Sequence, residues 1–178
     1  LCDPGVFLDT LNKLKVNNKW NLDNKWIEQN ISEKKKWIDK SLKDLEKETI
    51  EAKKNGGKIH PLQLALDVQD AMKDNDWLVI DGGNTHFWSE IAINIAGHKG
   101  KKLGGILHPG TFSMLGVGVP FALSAKNLNP KSNVVLISGD GAFLSGGLSI
   151  EAAFQEKKPI VVVIDNNGGL DCISQQQE

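Results

Sequence analysis

Two short polar runs, Gly139-Asp140-Gly141 and Asn166-Asn167, each stand where an apolar run ends, and their residue types are those that hold a divalent cation. Asp140 offers a carboxylate oxygen and Asn167 an amide oxygen. Both are hard donors of the kind Mg²⁺ takes when a phosphorylated ligand completes its near-octahedral shell. Residues 142–165 between the runs leave room for one helix and one strand, a single αβ step of a parallel sheet. Such a step brings the two corners side by side at one sheet edge, and open parallel sheets bind ligands outside the carboxyl ends of their strands. Gly139 and Gly141 let the backbone approach a phosphate closely. The chemistry these residues predict is a Mg²⁺-anchored diphosphate site. Taken singly, Asp140 is as well read as a helix cap and Asn166-Asn167 as a turn; the spacing of the two together favours the cation.

A third corner, Asp81-Gly82-Gly83-Asn84-Thr85, lies between a strand and a helix, so the amides at that helix start suit a terminal phosphate. The alternative is an N-cap with no ligand. Gly141 and Ala142 would offer amides to the same diphosphate from the neighbouring corner. His86 and His108 sit beside these loops and are candidate acid–base groups at a substrate pocket, with a purely structural role as the alternative for each. Cys172 and Gln175 follow the asparagine corner. Cys172 is open to a place near the substrate or to burial as a small apolar residue. His60 and His98 flank helix ends, where capping or exposure is expected, and Glu151 reads as a helix-surface residue.

The elements that must position these groups are legible in the hydrophobic pattern. From residue 59 helices alternate with short apolar strands, the signature of an α/β doubly wound parallel sheet. The pattern predicts a helix from Pro61 to about Lys73, a strand at 78–81, a helix at 85–96 and a strand at 105–107. A Gly-rich helix at 113–125, a strand at 134–138, a helix at 148–155 and a strand at 160–165 follow. Before residue 59 a turn at Asp3-Pro4-Gly5 opens a short amphipathic helix. Ile27, Ile31, Ile38, Leu42 and Leu45 then mark a long linker helix, with Ser32 as its N-cap and Gly56-Gly57 as its stop. Trp20, Trp26 and Trp37 are expected to pack that helix against a body not fully contained here. The reading is of two parts, 1–58 and 59–178, the second lacking elements at its C-terminal end.

Hydrophobic residues at 40% and charged residues at 24% fit an ordinary globular protein. No apolar run reaches the roughly 18 residues of a membrane span, and no leader opens the chain, so a cytoplasmic location is expected. Two isolated cysteines, Cys2 and Cys172, agree with a reducing compartment and form no metal-binding pair. All 21 basic residues are lysine. Without arginine the fork-shaped reader of bases is missing, which argues against sequence-specific nucleic-acid binding. The chain also lacks the G-x-G-x-x-G turn of a plain dinucleotide-binding module.

Gly139-Asp140-Gly141, a spacer of this length and Asn166-Asn167, with an apolar strand before each half, are similar to the pattern of the thiamine diphosphate enzymes. Over roughly residues 60–178 the sequence resembles the C-terminal diphosphate-binding domain of the acetolactate synthase, 2-oxoacid decarboxylase and 2-hydroxyacyl-CoA lyase group. The resemblance implies thiamine diphosphate and Mg²⁺ as cofactors, with the Gly169 carbonyl joining Asp140 and Asn167 on the metal. It implies Gly83, Asn84, Thr85, Gly139, Gly141, Ala142 and Asn166 around the diphosphate. The segment Gly110–Pro120 matches the part that folds the cofactor: Leu115 at the position of the apolar wedge between its rings, Ser113 at that of the carbonyl receiving its amino group. A 2-oxoacid or acyl substrate is implied, as is a homo-oligomer in which another subunit supplies the pyrimidine-binding domain and its glutamate, which nothing in this chain resembles. By the same resemblance residues 1–16 are the tail of a preceding domain. A lyase or transferase of the carboligase or decarboxylase kind is expected, inactive as this fragment alone. The alternative is a separate cofactor-binding subunit of a two-chain decarboxylase or 2-oxoacid oxidoreductase, the latter disfavoured by the lack of cluster-binding cysteines.

Overall fold

The computed structural model describes residues 3–16, 23–54, 57–170 and 172–174. Trp20, Cys2, Gly56 and Gln175, singled out above, lie outside the described residues. Two compact units are distinguished, Leu1–Lys43 and Asp44–Glu178. In the first, α1 (Pro4–Val16) is capped by Asp3, whose Oδ1 accepts from the amides of Gly5 and Val6 at 2.8 and 3.1 Å. Helix α2 (Asn24–Lys54) is capped by Asp23, whose Oδ1 accepts from the Trp26 amide at 3.0 Å. This corrects the expectation of a cap at Ser32, which lies inside the helix; interior serine costs too little to start a new one. Trp26 and Trp37 are exposed. No helix among the described residues is long and apolar enough to cross a membrane.

The second unit carries α3 (Pro61–Ala71), β1 (Trp77–Ile80), α4 (Asn84–His98), β2 (Gly105–Leu107), α5 (Gly118–Leu128), β3 (Val134–Gly139), α6 (Asp140–Gly146), α7 (Ile150–Gln155) and β4 (Val161–Asp165). The four strands form one parallel sheet in the order β2-β1-β3-β4. Strands whose two faces are both covered become continuous apolar runs, and Leu78, Val79, Ile80, Leu136 and Ile137 are all fully buried. Val79, Val134 and Leu136 turn to one face and pack with Val119, Ala122 and Ala125 of α5. Strand alternation turns Leu78, Ile80, Val135 and Ile137 to the opposite face, and α4, which contacts both β1 and β3, carries the buried Ala92, Ile95 and Ala96. Each fully buried Leu or Ile contributes about 1.5–3 kcal/mol.

Helix α3 begins as Pro61 allows, with His60 as its cap: Nδ1 accepts from the Leu62 amide at 3.1 Å. The other ring nitrogen of His60 lies 2.9 Å from Glu48 Oε2, and its ring meets the edge of Trp88 at 4.7 Å. His60 is thus structural.

Two helices differ from the sequence pattern. The helix expected at 113–125 starts only at Gly118, preceded by a single 3-10 turn at Gly110–Phe112. The reason is backbone geometry: Ser113 at φ 45° and Gly116 at φ 85° are left-handed, and no right-handed helix passes through them. Conversely, the helix expected at 148–155 is preceded by another. Helix α6 starts at Asp140 itself, a 3-10 turn covers Gly147–Ser149, and α7 follows from Ile150. The strand therefore turns into helix at the Gly139-Asp140 corner with no intervening loop.

Candidate functional site

The sheet register sets the height of the corners. Gly139, the last residue of β3, pairs with Asp165, the last of β4, so Asp140 and Asn166 leave the sheet level with each other. Ile80 pairs with Ile137, and the Asp81 amide donates to the Ile137 carbonyl at 2.9 Å, which places the third corner alongside. Thr85 Oγ1, on the first turn of α4, lies 3.5 Å from Asp165 Oδ2 and ties the first corner to the last.

A cavity of about 480 Å³ opens at this edge, within the roughly 300–1,000 Å³ of small-molecule sites. It is lined by Gly82, Gly83, Asn84 and Thr85 from the first corner, Gly139, Asp140, Gly141 and Ala142 from the second, and Asn167 and Gly169 from the third. Ser113 and Leu115 complete one wall, with Leu170, Cys172 and Ile173 opposite. Of the positions named from sequence, Asn166 is exposed beside the cavity and does not line it. Asp140 Oδ1 accepts from the Gly141 amide at 2.8 Å and Asn167 Oδ1 from the Gly169 amide at 3.2 Å, so both carry their oxygens at the cavity wall. Among the described residues that line the cavity Asp140 is the only charged side chain, and none is a lysine.

One residue that sequence reasoning passed over holds the walls together. Asp81, 1% exposed, accepts from the amides of Gly82 and Gly116 on Oδ1, both at 2.9 Å, and from Ser138 Oγ on Oδ2 at 3.0 Å. Its carboxylate thereby fastens the Ser113–Val117 loop to the ends of β1 and β3. Its signal in the sequence is slight: an acid closing an apolar strand reads as a polar corner, not as a buried anchor. The loop sits tightly on the first corner, for a Cβ on Gly82 would stand 2.2 Å from the Ser113 carbonyl oxygen and 2.5 Å from that of Met114. The Ser113 hydroxyl accepts from the Gly83 amide at 2.9 Å, and Leu115 lies against Gly83.

His86 and His108, named from sequence as acid–base candidates, are not among the cavity's lining residues. They are brought together behind it: His86 Nε2 lies 3.0 Å from His108 Nδ1 and 3.1 Å from Glu90 Oε1. The other nitrogen of His86 is 3.3 Å from Ser113 Oγ. His86 thus reaches the cavity only through the serine that lines it. Cys172 is a free thiol on the cavity wall, partly buried. Glu151 is exposed and accepts from Gln155 at 3.1 Å, as a helix-surface residue does.

The donor set fits a metal-bound diphosphate. Oxygen donors from two corners meet one cavity whose other lining is backbone and small residues, and an anion placed beside Asp140 meets no basic side chain on the wall. At about 4 Å each pair of unit charges there repels by about 4 kcal/mol at an effective dielectric near 20. A cation between them removes that penalty.

Comparison with known proteins agrees with this geometry. Residues 81–178 match the family model described as thiamine pyrophosphate enzyme, C-terminal TPP binding domain. The chain is 33% identical over 121 residues to 2-hydroxyacyl-CoA lyase 2 of Homo sapiens, covering 67% of this chain and 18% of that protein. It is 32% identical over 150 residues to 2-hydroxyacyl-CoA lyase 2 of Caenorhabditis elegans, covering 79% of this chain and 22% of the relative. To the acetolactate synthase of Bacillus subtilis (strain 168) it is 29% identical over 132 residues, covering 74% and 22%. The chain spans about a fifth of the length of these curated relatives.

Proposed function

The chain belongs to the thiamine pyrophosphate enzymes as their C-terminal TPP-binding domain, and from that premise we propose that it holds the cofactor's diphosphate through Mg²⁺ in the cavity at the sheet edge. Asp140, Asn167 and the Gly169 carbonyl are the protein ligands of the metal. Gly83, Asn84, Thr85, Gly139, Gly141 and Ala142 surround the diphosphate, with Asn166 beside the cavity and outside its lining, and Ser113 and Leu115 meet the ring end. The observation that carries this reading is the charge balance of the wall: a carboxylate and an amide oxygen line one cavity to which the described residues bring no basic side chain.

The cofactor, when bound, supplies an electron sink that stabilises carbanion character next to a carbonyl. This chain's residues bind and orient. Asp140 and Asn167 fix the metal, Asp81 holds the Leu115 loop in place, and Leu170 and Ile173 give the cavity an apolar wall. The reaction class is carboligation, decarboxylation or cleavage of a 2-oxoacid or acyl substrate, after the lyase and synthase names of the relatives. The domain works in a cytoplasmic homo-oligomer with a pyrimidine-binding domain from another subunit, and by itself it binds the cofactor without turnover.

Calorimetric titration of thiamine diphosphate with and without Mg²⁺ tests the reading. Asp140→Asn weakens binding in Mg²⁺ by at least about tenfold, since a metal ligand is worth no less than the 10–100-fold of its supporting partners. In EDTA the same variant binds as well as or better than the parent, because the repelling carboxylate is gone. Affinity that ignores the metal in both proteins would sink the proposal.

A further inference from the structure

We propose that His86, Glu90 and His108 form a second metal site, taking a divalent transition ion of zinc's class, separate from the cavity of the diphosphate. Helix α4 places His86 and Glu90 one turn apart on one face, the spacing at which two side chains grip one ion. The segment after β2 brings His108 to the same point. The donor atoms lie 3.0 Å apart for His86 Nε2 and His108 Nδ1, 3.1 Å for His86 Nε2 and Glu90 Oε1, and 3.9 Å for His108 Nδ1 and Glu90 Oε1. Tetrahedral bonds of about 2.0–2.1 Å set ligands about 3.3 Å apart, so the three atoms already span one face of such a shell.

Second contacts hold the rings in this arrangement: His86 Nδ1 lies 3.3 Å from Ser113 Oγ, which keeps Nε2 turned toward His108 and Glu90. The Gly110 amide reaches His108 Nδ1 only at 3.3 Å, a long hydrogen bond that an ion would replace. Two imidazole nitrogens and a carboxylate oxygen thus converge on one spot, where a single cation would satisfy all three. Two imidazoles with one carboxylate suit zinc and the neighbouring late first-row divalent ions better than Mg²⁺ or Ca²⁺. His86 is buried, whereas Glu90 and His108 are 53% and 41% exposed on their side chains, so the fourth position faces solvent. This is the open, three-ligand form of a zinc site. The ion would clamp α4 to the segment that follows β2, and through His86 and Ser113 it would brace the Gly83 amide.

The test is a titration of the chelator-stripped chain with Co²⁺, read by its visible d–d absorption, followed by displacement with Zn²⁺. One Co²⁺ per chain with the intense bands of a four- or five-coordinate ion is expected, and Zn²⁺ bleaches them. His108→Ala and Glu90→Gln, both at exposed side chains, each weaken binding at least about tenfold. Cys172→Ser and Asp140→Ala leave it unchanged. Circular dichroism confirms that every variant is folded. Absence of a saturable complex, parental affinity in either ligand variant, or loss of the bands in Asp140→Ala would overturn the assignment. In those cases hydrogen bonding among the three side chains alone holds the cluster, or the ion sits at the other corner.

Discussion

Asp81 offers the sharpest test of how this site is built. Replacing it by alanine removes the acceptor of three donors. Ser138 Oγ has a second acceptor in the Gly139 carbonyl at 3.2 Å and is not orphaned. Among the described residues the Gly82 and Gly116 amides have no such second partner; Gly82 is buried and Gly116 partly buried, and an unpaired amide costs about 1–3 kcal/mol when buried and less where water reaches it. Together they give a loss of roughly 2–4 kcal/mol, centred near 3. At about 2–4 °C per kcal/mol for a domain of this size, that lowers Tm by about 6–12 °C. Asp81→Asn keeps Oδ1 for both amides and loses only the charge assistance. With charged bonds at about 1.5–3 and neutral ones at about 0.5–1.5 kcal/mol, its loss is near 2 kcal/mol. Urea denaturation followed by circular dichroism should give the order parent, Asp81→Asn, Asp81→Ala. Cofactor affinity of the folded protein should fall in the same order, because the freed Gly116 lets the Leu115 loop lift from the wall. Asp81→Ala within 0.5 kcal/mol of the parent (a surface-like value), or asparagine no better than alanine, would refute the anchoring role.

Gly82→Ala drives a Cβ into the Ser113 and Met114 carbonyls, and is expected to cost about 1–3 kcal/mol or more in urea denaturation and to weaken thiamine diphosphate binding. Leu136→Ala empties the centre of the core and should cost about 2–5 kcal/mol while leaving the cofactor affinity of the folded fraction unchanged in calorimetry. Glu33→Gln breaks an exposed ion pair of 2.8 Å with Lys36 on α2 and should move the urea midpoint by less than about 0.5 kcal/mol.

The parallel sheet was legible because its strands are short and continuously apolar, with the central β1 and β3 buried, a pattern that surface helices do not share. Strand 105–107 was read at its true limits, and 134–138 and 160–165 to within a residue. The corners were legible for the same reason, since a polar pair that stops an apolar run marks a strand end. What escaped was decided by contacts distant in sequence. The late start of α5 follows from left-handed backbone at Ser113 and Gly116, a conformation held by Asp81 and visible only once the chain is folded. Ser32 has the residue type of a cap, but Asp23 caps earlier and the helix runs through. The pairing of His86 with His108 is likewise tertiary: each was readable as a histidine near a loop, and neither sequence neighbourhood announces the other. Asp81 itself looked like one more polar corner because burial cannot be read from residue type alone.

The level register between β3 and β4 has a consequence for what lengths of chain this domain tolerates. Gly139 and Asp165 end their strands on the same rung, so one residue added or removed within either strand turns its corner to the opposite sheet face and parts the two oxygens. The connections at the far edge, residues 129–133 and 156–160, lie a strand's length from the cavity and carry no such constraint. Insertions, affinity tags or fluorescent labels placed there should leave the cofactor end intact, whereas a single deletion inside Val134–Gly139 should abolish it. Length, more than residue identity, is what this edge of the sheet cannot give up.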